Sequence, residues 1–258
     1  MAYMESETER NPAIDRMPRG GFDASCLDRM LQTDRREYLD RDDIDESVKR
    51  QVIDALDWTG RVFGNHQRFA RIALEEIAEV PDPRILELGA GHGALSEILI
   101  ENHPTAQVTA TDVDPAWVAA LAAGELGSHP RVTVRQMDAT AIDAPDGSFD
   151  LVVFALSFHH LRPSAAARVL AEGTRVGARL LIIDLPRLPA PLHALQLASM
   201  LPLSFIPLVH DGVISSLRTY SRSALRSLAL HADPTIELEL RGGWWSPQIV
   251  VARRAAAP

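Results

Sequence analysis

A glycine-rich turn directly after an apolar strand carries the clearest chemistry in this chain. Residues 85–93 read ILELGAGHG, with glycines at positions 89, 91 and 93. Glycine lets the backbone adopt a positive φ and lets a ligand approach main-chain N–H groups that a Cβ would block. The turn therefore predicts a site for a nucleotide-type cofactor. The pattern Gly89-x-Gly91-x-x-Ala94 also fits dinucleotide enzymes. This motif alone therefore does not separate dinucleotide enzymes from other enzymes that bind a nucleotide-type cofactor.

Acidic residues follow at the ends of further predicted strands. Asp112 ends the strand that begins at Val108. A carboxylate at this position accepts hydrogen bonds from the ribose hydroxyls, both in dinucleotide enzymes and in other enzymes with a nucleotide-type cofactor. Asp138 and Ala139 end a third strand, at a position that reaches an adenine edge. Glu87 is an acid inside the first strand, where dinucleotide enzymes are usually apolar. Glu87 therefore argues against a dinucleotide enzyme.

Two adjacent histidines, His159 and His160, follow the fourth predicted strand, 149–154. They lie at the carboxyl edge of a parallel sheet, where ligands of open sheets bind, and imidazole exchanges protons near neutral pH. The pair is a candidate general base. An equally supported alternative is that each histidine caps a turn or packs beneath the next helix. Secondary base and orientation candidates lie in a loop-rich insert: His210, Asp211 and Tyr220.

A metal site that combines these histidines with His210 and Asp211 has no tight ligand spacing in its favour. We therefore predict no metal ion for this chain.

The ordered set of motifs resembles the class I S-adenosylmethionine-dependent methyltransferases. LELGAGHG, ATDVDP, MDATAIDAPDGSFDLVV and SFHHL match that family in sequence and spacing, over roughly residues 84–253. The resemblance implies S-adenosylmethionine as the cofactor, with its methionine part at the glycine turn, its ribose on Asp112 and its adenine against Asp138. The cofactor-binding residues expected on this basis are Glu87, Gly89, Ala90, Gly91, Gly93, Asp112, Val113, Asp138, Ala139 and Ala155.

The reaction implied by the resemblance is methyl transfer to a small molecule. Residues 155–158 read ALSF, where amino-directed members carry Asn/Asp-Pro-Pro-Tyr, and a Pro-Cys nucleophile for cytosine chemistry is absent. An apolar cap favours a lipophilic or aromatic acceptor with a hydroxyl group, although core packing would explain the same side chains equally well. These apolar residues are Phe63, Phe69, Leu195, Leu197, Met200, Leu203, Phe205 and Ile206. Two rivals stay open: an NAD-dependent oxidoreductase and a non-catalytic cofactor-binding regulatory protein.

Composition and charge restrict the partners. The formal net charge of −9 argues against a nucleic-acid partner, because phosphate binding needs a basic face. Cys26 is the only cysteine, so an intrachain disulfide is excluded. Prolines interrupt the apolar run 188–209, which argues against stable membrane insertion. Residues 1–20 show no targeting segment, so we expect a cytoplasmic protein. The expected partner is a small-molecule acceptor, and a homodimer stays open.

The elements that position these groups predict an α/β fold. Alternating strands and helices indicate a doubly wound, mostly parallel sheet, and the resemblance implies a seven-stranded Rossmann-like sheet that ends in an antiparallel hairpin, 236–240 with 248–252. We expect a disordered tail over residues 1–22 and an N-terminal helical cap over 23–80. The methyltransferase domain then spans 81–258, with a lid insert at about 186–221.

Overall fold

A seven-stranded sheet forms the centre of the computed structural model, which describes residues 12–41, 43–243 and 246–255. The strands are β1 (Arg84–Leu88), β2 (Gln107–Asp112), β3 (Val132–Gln136), β4 (Leu151–Ala155), β5 (Leu180–Asp184), β6 (Ile236–Arg241) and β7 (Gln248–Arg254). Their order is β3-β2-β1-β4-β5-β7-β6. The first five strands pair in parallel, and β7 pairs antiparallel with both β5 and β6. The predicted fold class is confirmed.

Helices cover both faces of this sheet. They are α1 (Pro12–Asp15), α2 (Cys26–Met30), α3 (Glu46–Val62), α4 (Asn65–Glu76), α5 (Ala94–Asn102), α6 (Pro115–Ala123), α7 (Glu125–Ser128), α8 (Pro163–Val176), α9 (Ala190–Met200), α10 (Pro207–Arg218) and α11 (Arg222–Ala232). Short 3-10 turns cover Tyr38–Asp40, Phe158–His160 and Leu201–Leu203.

Alternate residues of the central strands enter two separate cores, because successive strand side chains point to opposite faces. Val152 and Ile182 pack with apolar side chains of α8 and α11. Val153 and Ile183 pack on the other face with those of α4 and α5. Burial on both faces explains why β4 and β5 are nearly continuous apolar runs. The sheet is thereby a rigid support for the loops at its carboxyl edge.

The prediction of a disordered tail over residues 1–22 is wrong for residues 12–22; residues 1–11 lie outside the described part of the chain. Ile14 and Met17 are buried in the core that includes α8. Arg19 is buried as well, and its Nη1 donates to the carbonyl oxygens of His159, Leu161 and Arg218 at 2.8–3.1 Å. The prolines and glycines of this segment break regular structure, but two apolar anchors and one buried cation still fix it in place.

The cap and the insert differ in detail from their predictions. Within 23–80, α3 and α4 carry the predicted helical pattern, whereas residues 32–37 have no regular secondary structure. The insert at 186–221 is helical rather than loop-rich, because α9 and α10 occupy most of it. Each of these two helices begins next to a proline, a residue favoured in the first helical turn. Among the described helices, none has the length and apolar character needed to cross a membrane.

Candidate active site

The glycine turn joins β1 to α5 with three residues in the left-handed region. Gly89, Gly91 and Gly93 have φ values of 63°, 53° and 83°. The Ala90 N–H donates to Thr111 O at 2.8 Å, which ties the turn to β2. A Cβ on Gly93 would lie 2.6 Å from leucine side chains of α6 and α7, whereas one on Gly91 would meet nothing within 4 Å. The backbone of the turn is therefore held firmly beside an open space.

Asp112, at the end of β2, is bound to this turn through its carboxylate. The Gly91 N–H donates to Oδ2 at 3.0 Å and the Asp114 N–H donates to Oδ1 at 2.9 Å. Each carboxylate oxygen keeps a further lone pair for a ligand hydroxyl. Val113 follows with an exposed side chain, and its carbonyl accepts from Gln136. Asp114 caps α6 through its own carboxylate, which accepts from the Ala116 N–H.

Glu87 is a buried acid within β1. Ser96 Oγ, on α5, donates to its Oε2. Burial raises the pKa of Glu87 to about 7, and the nearby Asp112 carboxylate acts in the same direction. A carboxyl group held at this cost gains most from a cation placed nearby. An amino-acid ammonium group beside the glycine turn would supply such a charge.

Asp138 and Ala139 follow β3 beside the end of β2, since the Met137 N–H donates to Asp112 O at 2.9 Å. Asp138 Oδ1 accepts from the N–H and the hydroxyl of Thr140, both at 2.8 Å. Ala139 packs half-buried against the core. Ala155 is the last residue of β4. The open turn, its carboxylates and the buried acid thus fit the expected cofactor, and the sequence-predicted binding residues lie on adjacent strand ends.

The histidine turn follows β4 next to the glycine turn. A Cβ on Gly89 would lie 3.4 Å from Ser157 Oγ, so the two turns are in contact. Leu156 has a φ of 54°, which is uncommon for a residue with a side chain. Such strain clusters at functional sites.

Asp184, at the end of β5, fixes the position of His159. It accepts the His159 backbone N–H at Oδ2, 2.8 Å away, and its Oδ1 lies 2.7 Å from His159 Nδ1. Asp184 is not among the site residues predicted from the sequence. Its signal was available, because a carboxylate at the carboxyl end of β5 must lie beside whatever follows β4.

The electrostatics of His159 are set by two carboxylates. Burial by itself lowers the pKa of this imidazole, but the charges of Asp184 and Glu37, together with the hydrogen bond to Asp184, outweigh it and raise the pKa to about 9. Nδ1 faces Asp184, and Nε2 lies 3.5 Å from Glu37 Oε1. The ring is therefore held with Nε2 on the side away from the sheet.

An N-terminal segment, residues 32–41, contacts both histidines, and we call it the N-terminal strap. The sequence did not predict this contact. Glu37 of the strap is buried and accepts from Ser215 Oγ on α10 at 2.7 Å. Its Asp40 places Oδ2 2.9 Å from His160 Nδ1. No sequence signal pointed to these two acids, since they precede the histidines by more than a hundred residues.

The secondary candidates support this strap instead of facing the histidine turn directly. His210 stacks on Tyr38 with ring centroids 3.9 Å apart, and Asp211 accepts the Tyr38 N–H at 2.9 Å. Tyr220 is fully buried, donates its hydroxyl to Leu161 O at 2.8 Å and packs under the Arg19 guanidinium. Burial raises the pKa of Tyr220 above its usual value. The tyrosine is thus placed to hold the turn that carries the histidines.

Comparison with known proteins adds a family and several relatives. A family model described as a methyltransferase domain matches residues 85–178. The chain is 33% identical over 132 residues to demethylmenaquinone methyltransferase of Thermus thermophilus, covering 49% of this chain and 58% of that protein. It is 24% identical over 176 residues to the ubiquinone/menaquinone biosynthesis C-methyltransferase UbiE of Cupriavidus pinatubonensis, covering 67% of this chain and 70% of that one.

A solved structure shares the fold over most of the chain. It is the plantazolicin methyltransferase BpumL in complex with a monoazolic desmethylPZN analog and SAH. The TM-score is 0.61 at 12% identity, and the match covers 89% of this chain and 96% of that one. The chain spans 58% of the length of the Thermus relative and only 30% to 36% of three further curated relatives that it matches. The matched family model, over residues 85–178, includes both the glycine turn and the histidine turn.

Proposed function

We propose that this chain, as a class I S-adenosylmethionine-dependent methyltransferase, methylates a hydroxyl oxygen of a small lipophilic or aromatic molecule. When bound, the cofactor supplies an electrophilic methyl group on a sulfonium. The chain must align an acceptor and remove its proton. His159 is the residue to which we assign proton removal.

The contact between His159 Nδ1 and Asp184, at 2.7 Å, carries this assignment. The raised pKa of about 9 makes the neutral imidazole of His159 the minor form at neutral pH. In that form a carboxylate at Nδ1 keeps the proton on Nδ1 and leaves the lone pair on Nε2. The same carboxylate stabilises the imidazolium formed when Nε2 takes a proton. The acceptor hydroxyl would occupy the place beside Nε2 that Glu37 approaches in this structure.

The cofactor side is assigned to groups in and next to the glycine turn. Asp112 offers lone pairs to two ribose hydroxyls, and Glu87 offers negative charge to the ammonium. The contact between Gly89 and Ser157 supports an arrangement in which the reacting methyl group lies between the glycine turn and the histidine turn.

The lipophilic character of the acceptor rests on the apolar side chains of the cap and the insert. Phe69 and Leu197 are buried and serve packing. Phe63, Leu195, Leu203 and Phe205 are 49% to 79% exposed, which is unusual for large apolar side chains in such number. We assign this exposed set to contact with a lipophilic acceptor.

A second candidate is methylation of a ring carbon of a quinol-type acceptor. Two relatives favour it by their names, one a demethylmenaquinone methyltransferase and the other a C-methyltransferase of ubiquinone and menaquinone biosynthesis. The same base would then deprotonate a ring hydroxyl and increase the nucleophilicity of the adjacent carbon. Product analysis separates the two, because an O-methylated product has lost a titratable hydroxyl and a C-methylated product has kept it.

The test is methyl transfer from labelled S-adenosylmethionine to hydroxylated aromatic acceptors of graded acidity. His159→Gln should lower turnover on the least acidic acceptor by about 100-fold or more, the usual contribution of a positioned base. The loss should shrink as the acceptor pKa falls, since an acidic phenol is already partly ionised. The exposed His231→Gln serves as the control.

Wild-type turnover by both His159→Gln and His160→Gln on the least acidic acceptor would remove the histidines from the chemistry. Absence of methyl transfer to every acceptor, in a protein that binds the cofactor tightly, would instead favour a non-catalytic binding protein.

A further inference from the structure

Three side chains with potential ligand atoms converge between the histidine turn and the N-terminal strap. His159 Nε2 lies 3.5 Å from Glu37 Oε1, and His160 Nε2 lies 3.9 Å from Glu37 Oε2. The two imidazole rings face each other with centroids 4.3 Å apart. One nitrogen of each histidine and one oxygen of the glutamate all lie within 4.8 Å of one another. Glu37 and His159 are buried, and His160 is half-buried.

Each histidine of this cluster has a carboxylate on its other ring nitrogen. Asp184 lies 2.7 Å from His159 Nδ1, and Asp40 lies 2.9 Å from His160 Nδ1. Histidines that bind metals almost always donate their second N–H to such a partner, which fixes the tautomer and the ring orientation. Here Nε2 of both rings faces Glu37.

His159 Nε2 is an unsatisfied atom in this arrangement. It is buried and makes no hydrogen bond with any residue that the structure describes. Buried polar atoms in folded proteins nearly always have a partner, so an exception at the centre of a ligand cluster points to a group that binds there.

The donor set and its spacing identify the class of ion. Two imidazole nitrogens and one carboxylate suit Zn²⁺ and related transition metals, whereas Mg²⁺ and Ca²⁺ prefer oxygen ligands. Ligands bound tetrahedrally at about 2.1 Å are roughly 3.4 Å apart. The two nitrogen–oxygen distances, each to a different Glu37 oxygen, are 3.5 and 3.9 Å. We propose that Glu37, His159 and His160 form a binding site for a divalent transition metal ion, with a fourth position left open.

Occupancy of this site has a consequence for the chemistry. A metal ion and a proton compete for the same lone pair on His159 Nε2, so a bound ion withdraws His159 from proton transfer. This consequence rests on the proposed function, and the binding itself does not. The metal-free protein is then the form in which His159 acts as a base.

Calorimetric titration of the chelator-treated full-length chain with Zn²⁺ tests the site. We expect one ion per chain, and no binding of Mg²⁺. His160→Gln and Glu37→Gln should each weaken Zn²⁺ affinity by about 100-fold or more, and Asp40→Asn should weaken it by about 10-fold, the scale for loss of a partner behind a ligand. The control His231→Gln removes an exposed imidazole at the end of α11 and should retain wild-type affinity.

Zn²⁺ affinity within threefold of wild type in both His160→Gln and Glu37→Gln, each shown to be folded by circular dichroism, would overturn the proposal, as would loss of binding in His231→Gln. Methyl transfer by the metal-free protein is measured separately. Zn²⁺ binding at the cluster without methyl transfer leaves the site intact and contradicts the proposed function, and methyl transfer without Zn²⁺ binding does the reverse.

Discussion

The cofactor side of this molecule is the glycine turn with Glu87 and Asp112, and the acceptor side is the histidine turn with the N-terminal strap. Contacts on the cofactor side join residues close in the sequence, whereas contacts on the acceptor side join residues far apart. On the cofactor side, Asp112 binds Gly91 across 21 residues and Glu87 binds Ser96 across 9. On the acceptor side, Asp40 meets His160 across 120 residues, and the Arg19 side chain binds the Arg218 carbonyl across 199. The first region is one strand-turn-helix unit with its neighbouring strand. The second exists only after distant segments have packed together.

This difference separates cofactor binding from acceptor recognition. The cofactor side is positioned by the rigid centre of the sheet, so the residues of the strap and the insert can change without moving it. The acceptor side depends on the strap, α10 and the N-terminal segment, and these can set which acceptor is recognised. A shared fold with different activities requires such a separation between scaffold and site.

The largest expected effect is on the free energy of unfolding, and it comes from Arg19 on the acceptor side. Its buried guanidinium donates to three carbonyls at 2.8–3.1 Å. Arg19→Met should lower the free energy of unfolding by about 3 kcal/mol or more, because two buried carbonyls and one part-buried carbonyl lose a charged donor. Urea denaturation followed by circular dichroism measures the loss. Arg16→Met, at an exposed position of the same segment, is the control. Equal stability of the two variants would mean that the N-terminal segment does not hold the acceptor side together.

Glu87 predicts a pH-dependent effect on the cofactor side. Its folded-state pKa of about 7 exceeds its ordinary value of 4.5. The unfolded chain therefore ionises this carboxyl first, and the wild type loses stability as the pH rises from about 4.5 to 7. Glu87→Gln does not titrate, so it should gain on the wild type over that range, by up to about 3 kcal/mol at pH 8.

Denaturation curves at pH 5 and pH 8 measure this gain. The control Glu97→Gln, at an exposed position of α5, keeps the buried Glu87 and hence the wild-type loss. A Glu87→Gln gain that is the same at both pH values would contradict the elevated pKa.

Asp112 should contribute an intermediate effect, measured on cofactor binding. Asp112→Ala removes the carboxylate assigned to the ribose and should weaken S-adenosylhomocysteine affinity by about 1.5 kcal/mol or more, the scale of a charge-assisted hydrogen bond. The matched control is Asp114→Ala, which removes only the cap of α6. Calorimetry on folded protein compares the two. Unchanged affinity in Asp112→Ala would separate Asp112 from the cofactor site.

The smallest effect on stability is expected at Gly91. A Cβ there meets no atom within 4 Å, so Gly91→Ala should cost only the strain of a positive φ, about 1 kcal/mol. Gly93→Ala carries the same strain and also forces Leu121 and Leu126 to move, so it should cost more. Thermal unfolding of both variants measures the difference. Equal melting temperatures would contradict the packing assigned to the turn.

The sequence predicted the parts of this molecule that depend on short-range patterns. The apolar strands, the glycine turn and the proline that begins α8 are each encoded within a few residues, and so is the terminal hairpin. The parts that it missed depend on contacts between distant segments. Burial of Ile14 and Met17 against α8 overrode the breakers around them, and Glu37 reaches the histidines only because the strap packs on α10. Asp184 lay between these extremes, since its place at a strand end was visible but its partner was not.

Titration of the wild-type chain with S-adenosylhomocysteine and with NAD⁺, in a calorimeter under the same conditions, tests the assignment of the cofactor side most directly. We predict saturable binding of S-adenosylhomocysteine at one site per chain and no measurable binding of NAD⁺. Saturable binding of NAD⁺ without binding of S-adenosylhomocysteine would contradict the account and identify the glycine turn as part of a dinucleotide site.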